Sequence, residues 1–138
     1  MISQKTILVV EDNPINREIL CAILSKQYAV IQAENGQEAL DILQTGKDDI
    51  ALVLLDVIMP VMDGYTFLDR VKADPELAII PVIVMTQSEG EESEVSALAH
   101  GATDFVAKPY RPQVILHRIA SIIKLRETAA MVNQFQYD

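Results

Sequence analysis

The chain has 138 residues, half of them hydrophobic, with a single cysteine and a formal net charge of −9 at pH 7. That length fits one domain with a substantial core, and the lone Cys21 excludes a disulfide framework and a cysteine-based metal site. The negative balance argues against free nucleic acid as a partner and suits a cationic ligand such as a divalent metal, although most surface carboxylates serve only to keep a domain soluble.

Short apolar runs alternate with amphipathic stretches. Residues 6–10 (TILVV) read as a buried strand. Asn13 then supplies an N-cap, Pro14 fits the first helical position, and Ile15, Ile19, Ile23, Leu20 and Leu24 recur at helical spacing. Residues 28–33 (YAVIQA) form the second strand candidate. Asn35 and Glu38 make a capping-box-like pair, and Gly46 ends the second helix. Residues 50–55 (IALVLL) form the third strand. Asp63 caps a helix carrying Phe67, Leu68 and Val71 that ends near Asp74–Pro75. Residues 81–86 (PVIVMT) form the fourth strand. Ser88 and Glu91 have capping-box spacing ahead of a helix with Val95, Leu98 and Ala99, which Gly101 stops. Residues 103–107 (TDFVA) are a weaker fifth strand, and Pro112 opens a last helix with Ile115, Ile119, Ile122 and Leu125.

This is βα repeated five times. Near-continuous Val/Ile/Leu strands belong in parallel sheets covered on both faces. Right-handed crossovers make the sheet doubly wound, so the predicted class is α/β. Ligands in such sheets sit outside the carboxyl ends of the strands. No apolar run approaches the roughly 20 residues of a membrane span. The first residues lack a basic, long-apolar, cleavable leader, so a cytoplasmic location is expected.

The residues at the strand ends carry the chemistry. Glu11 and Asp12 follow the first strand, Asp56 the third, Thr86 ends the fourth, and Lys108 and Pro109 follow the fifth. Each has an ordinary reading alone. Glu11–Asp12 is an acidic first turn, Asp56 a solvated turn residue, Thr86 a strand end, Lys108 a surface lysine. Together they place three carboxylates, a hydroxyl and an ammonium on one edge. Clustered carboxylates repel, and a hard divalent cation with oxygen ligands relieves that repulsion. A phosphoryl group can then enter, with Asp56 as an in-line nucleophile. No zinc-type His/Cys cluster, nucleotide-binding glycine motif or nucleophile elbow is present. His100 and His117 read as surface residues without a clear partner, and Met59 and Met62 as packing residues.

In the segments ILVVEDN, LLDVIMPVMDG, VIVMT and DFVAKPY, in that order and spacing, the chain resembles the receiver domain of two-component response regulators from about Lys5 to about Lys124. The resemblance implies a flavodoxin-like five-stranded sheet of order 2-1-3-4-5. It implies Asp56 as phosphoacceptor and Mg²⁺ (or Mn²⁺) held by Asp12, Asp56, the Ile58 backbone carbonyl and, through water, Glu11. Lys108 would pair with the phosphoryl group ahead of a cis Pro109, with Thr86 as switch hydroxyl and Phe105 as switch aromatic. Gln87 stands where a small residue is common, and Ile58 where many relatives are polar, so both are expected to modulate rates. Phe105 lacks the hydroxyl of the Tyr common at its position.

The implied partners are a histidine kinase or a histidine phosphotransfer protein. Phosphorylation is expected to remodel the face of helix 4, strand 5 and helix 5. The implied role is a signalling phosphoacceptor rather than a metabolic enzyme, with no direct nucleic-acid or membrane binding. The last helix continues without Gly or Pro, and Ile122, Leu125, Ala129 and Val132 keep a 3-4-3 spacing. The expected division is therefore a receiver over 1–126 and a helical extension or linker over 127–138. That extension, or the helix 4/strand 5/helix 5 face, would support a homodimer or lead to an output domain beyond residue 138, and the receiver is expected to open its protein. The competing readings are a pseudo-receiver that binds partners without phosphorylation and a small-molecule enzyme on the same fold. A dehalogenase-type phosphatase would want an Asp at position 58, where Ile stands.

Overall fold

The computed structural model describes residues 4–46, 49–56, 62–86, 91–108 and 111–136, with side chains described throughout these except at 91–94 and 129–136. Strands and helices alternate: β1 (Thr6–Val10), α1 (Pro14–Leu24), β2 (Ala29–Ala33), α2 (Gly36–Thr45), β3 (Ile50–Asp56), α3 (Gly64–Ala73), β4 (Val82–Thr86), α4 (Glu91–Ala99), β5 (Asp104–Ala107) and α5 (Pro112–Gln136). The strands form one parallel sheet of order β2-β1-β3-β4-β5. This is the α/β class and strand order expected from the sequence.

The period of two along each strand divides the core between the two faces. Leu8 and Val10 of β1, Val53 and Leu55 of β3, and Val82 and Val84 of β4 pack with Leu40 and Leu43 of α2, Phe67, Leu68 and Val71 of α3, and Ala97 of α4. The alternate residues Ile7, Val9, Leu52, Leu54, Ile83 and Met85 pack with Leu20 and Leu24 of α1 and Ile115 and Ile119 of α5. Strands apolar at every position are thus required by helices on both sides.

Capping places the helices. The Asn13 side chain accepts from the backbone N–H groups of Ile15 and Asn16, Asn35 from Glu38, and Asp63 from Thr66. Each satisfies orphan donors of a first turn. The Ser88–Glu91 capping pair expected for α4 lies outside the described residues at Ser88.

Three apolar stripes do not bury fully as their spacing suggested; on α5, Ile115 and Ile119 are buried but Leu125 is 69 % exposed. On α1, Leu20 and Leu24 are fully buried, but Ile15 and Ile19 are 69 % and 45 % exposed. Residue 19 lies about 100° around the helix from residue 20, beyond the arc the sheet covers. On α4, Val95, Leu98 and Ala99 are exposed and, among the described side chains, Ala97 is the buried one, so a small side chain makes the contact.

The expectation that His100 lacks a partner is also corrected. His100 Nδ1 lies 2.7 Å from Asp69 Oδ1, and its ring stacks on Tyr65 at 4.6 Å between centroids. His117 is exposed on α5, as read from the sequence. Met62 packs in the core. None of the described helices is long and apolar enough to cross a membrane.

Candidate functional site

The strand order reverses between β1 and β3, because the chain leaves β1 for β2 on one side and then returns to β3 on the other. Crevices in open parallel sheets form there, past the carboxyl ends. Glu11 and Asp12 follow β1, and Asp56 is the last residue of β3. Oxygen atoms of these three carboxylates all lie within 4.8 Å of one another. Glu11 and Asp56 are buried, and Asp12 is half-buried.

Lys108 completes the cluster from β5. Its Nζ stands 3.4 Å from Asp56 Oδ1 and 3.9 Å from Glu11 Oε2, and its side chain is 15 % exposed. Burial that deep makes such a pairing matter, since solvent screens it far less than a surface pair. The Lys108 backbone N–H donates to the Thr86 carbonyl at 2.7 Å, continuing the β4–β5 ladder in which Thr86 faces Ala107. Thr86 is buried at the same edge. Phe105 sits two residues before Ala107 in that ladder, opposite Val84, and is partly buried against the core.

The sequence-predicted residues Glu11, Asp12, Asp56 and Lys108 therefore meet in one pocket, with Thr86 at its edge on β4 and Phe105 farther along β5. Ile58, Met59, Gln87 and Pro109 lie outside the described residues.

Charge bookkeeping suits a divalent cation. Among the described residues, the formal charges of the three carboxylates and the Lys108 ammonium sum to −2. The donors are all hard oxygens, the set Mg²⁺ takes. Their spacing is one that a small cation can draw together. The residues present thus fit the metal.

Sequence reasoning missed the scaffold behind the acidic pair. The Glu11 backbone N–H donates to the Ala33 carbonyl at 3.1 Å, and Glu11 Oε1 accepts from the Asn13 backbone N–H at 3.2 Å. Arg17 Nη1 donates to the Glu11 carbonyl at 2.9 Å, while Arg17 Nε donates to Gln32 Oε1 at 3.1 Å. The available signal was positional. Arg17 lies in the first turns of a helix that begins directly after the pair, so a long side chain there can reach back to it.

This site on this fold is that of a receiver domain. The response regulator receiver domain model matches residues 7–120, and the chain belongs to that family. It is 35 % identical over 137 residues to a protein named probable cyclic di-GMP phosphodiesterase from Vibrio cholerae, covering 99 % of this chain and 31 % of that protein. It is 33 % identical over 121 residues to the phosphate regulon transcriptional regulatory protein PhoB of Pseudomonas aeruginosa, covering 87 % of this chain and 52 % of that protein. The chain therefore spans about half or less of the length of these relatives. Among solved structures, the receiver domain of sensor histidine kinase PA1611 from Pseudomonas aeruginosa superimposes with a TM-score of 0.78 at 27 % identity. That alignment covers 89 % of this chain and 99 % of the other, and the structure is described with a magnesium ion coordinated in its active-site cleft.

Proposed function

We propose that this receiver domain accepts a phosphoryl group on Asp56 in a Mg²⁺-dependent reaction and passes the signal through the α4–β5–α5 face. The observation that carries the reading is the buried Asp56 carboxylate, 3.4 Å from Lys108 Nζ and within 4.8 Å of the Glu11 and Asp12 oxygens. An Asp56 oxygen attacks phosphorus, the donor's P–N bond breaks, and the leaving imidazole keeps the electron pair. Asp12 and Asp56 would hold Mg²⁺ directly, with the Ile58 carbonyl, and Glu11 through water. When bound, Mg²⁺ supplies the positive charge that lets a phosphoryl oxygen approach three carboxylates.

Lys108 pairs with the incoming phosphoryl oxygens, next to a cis peptide at Pro109. The Thr86 hydroxyl moves toward the phosphoryl group, and Phe105 turns inward. Gln87 and Ile58 tune the rates of phosphorylation and hydrolysis. The bias of this switch is set by how much better the phosphoryl group binds one state than the other. The donor is a histidine kinase or histidine phosphotransfer protein, and the location is cytoplasmic. The receiver ends near residue 126. The continuing helix leads to a second copy or to an output domain.

The test is incubation with Mg²⁺ and a small phosphodonor such as acetyl phosphate, read by intact-protein mass. The expected result is the gain of one phosphoryl group, abolished by Asp56→Asn and by chelation of the metal. A wild-type protein that gains nothing from Mg²⁺ and acetyl phosphate would instead be a pseudo-receiver that binds partners without phosphorylation.

A further inference from the structure

The peptide group joining Glu11 to Asp12 is gripped on its carbonyl by the Arg17 side chain. Arg17 Nη1 donates to that carbonyl at 2.9 Å, and Arg17 Nε donates to Gln32 Oε1 at 3.1 Å. Gln32 lies on β2, in register with Val9 of β1, so the guanidinium is itself braced by the neighbouring strand. The Arg17 backbone is fixed as well, since its N–H donates to the Asn13 carbonyl at 2.9 Å. One rigid fork thus links the start of α1, the edge of β2 and the turn that carries both acids.

From this geometry we infer that Arg17 is a positioning residue for the acidic pair, setting the affinity of the pocket for a divalent cation through the Glu11–Asp12 peptide. The inference rests on the metal reading proposed above. A peptide unit is planar, so fixing the Glu11 carbonyl also fixes the Asp12 N–H on its far side. That leaves little freedom in the direction from which the Asp12 side chain departs. Glu11 is already held by its N–H on Ala33 and by Asn13 at its carboxylate, so the carbonyl grip closes the remaining rotation of this residue.

Supports of this outer kind orient ligands and typically change metal affinity by about 10- to 100-fold. A lysine cannot replace the fork, because one ammonium on a flexible stem does not serve two acceptors in a fixed plane.

The test is isothermal titration of MgCl₂ into the wild type, Arg17→Met, Arg17→Lys, Gln32→Leu and, as a control, Asp12→Asn, with metal-free melting curves for each. Arg17→Met is expected to raise the Kd about tenfold while leaving the metal-free melting temperature nearly unchanged. Gln32→Leu and Arg17→Lys are expected to shift the Kd in the same direction by less. Gln32→Leu keeps the test decisive should Arg17→Met fold poorly. If Arg17→Met and Gln32→Leu keep the wild-type Kd, or only lower the metal-free melting temperature, while Asp12→Asn loses binding, the inference is overturned and the metal reading stands. If the wild type binds no Mg²⁺, the metal reading fails and this inference fails with it.

Discussion

A Cβ added at Gly36, the first residue of α2, would lie 2.9 Å from the Met62 backbone oxygen and about as close to its side chain. A backbone oxygen cannot step aside as a flexible side-chain tip can. Met62 directly precedes the Asp63 cap of α3, on the chain that leaves Asp56. Gly36→Ala is therefore expected to destabilise the fold by about 1–3 kcal/mol through overpacking, measured by urea unfolding. An unchanged midpoint would mean that α2 and the Met62 turn separate freely. At this scale the acidic residues were legible because each follows or ends a run of Val, Ile and Leu. Gly36 was legible only as a residue after an N-cap. Its close approach to Met62 joins positions 26 apart in sequence, and no local pattern carries that.

Between elements, α3 grips the turn that follows α4. Tyr65, Asp69 and Lys72 recur at i, i+4 and i+7 on one side of α3. Tyr65 stacks on His100, Asp69 pairs with it, and the Lys72 methylenes lie where a Gly101 side chain would go, with Cγ 2.9 Å from an added Cβ. Lys72 Nζ donates to the Ala78 carbonyl, and burial of its ammonium lowers its pKa. The His100–Asp69 contact is more than a third exposed at both ends, so solvent screens it. The backbone is the stronger constraint, since Gly101 has φ +101°. His100→Ala is thus expected to cost less than about 1 kcal/mol and Gly101→Ala about 1–3 kcal/mol, compared by thermal unfolding. The reverse ranking would place the hold in the His100–Asp69 pair instead. Sequence reasoning marked Gly101 as a helix stop but left His100 alone, because its partners sit on another helix.

For the whole molecule, a charge of −9 and the convergence of three carboxylates on one edge suit a divalent cation. A ligand that binds only the folded state stabilises it by mass action, by about 2.7 kcal/mol at a hundredfold excess over its Kd. MgCl₂ is expected to raise the melting temperature by several degrees more than NaCl at matched ionic strength. Asp12→Asn should remove that difference while keeping the general salt response. Equal shifts with both salts in the wild type would show screening of the net charge alone.

The order of elements, the all-parallel sheet and the carboxylates at its edge were determined by the sequence, through patterns that are local. Period-two and period-3.6 burial, caps at Asn13, Asn35 and Asp63, and strands apolar on both faces are all written within windows of a few residues. The resemblance in four short motifs added the strand order and the family. Only the tertiary structure decided which apolar residues of α1 and α4 are buried, since that depends on how wide an arc the sheet covers. It alone brought Lys108 to 3.4 Å from Asp56, seated Arg17 on the Glu11 carbonyl and set His100 against Tyr65 and Asp69. Those contacts depend on the reach of side chains across neighbouring elements, a distance that spacing along one chain does not encode.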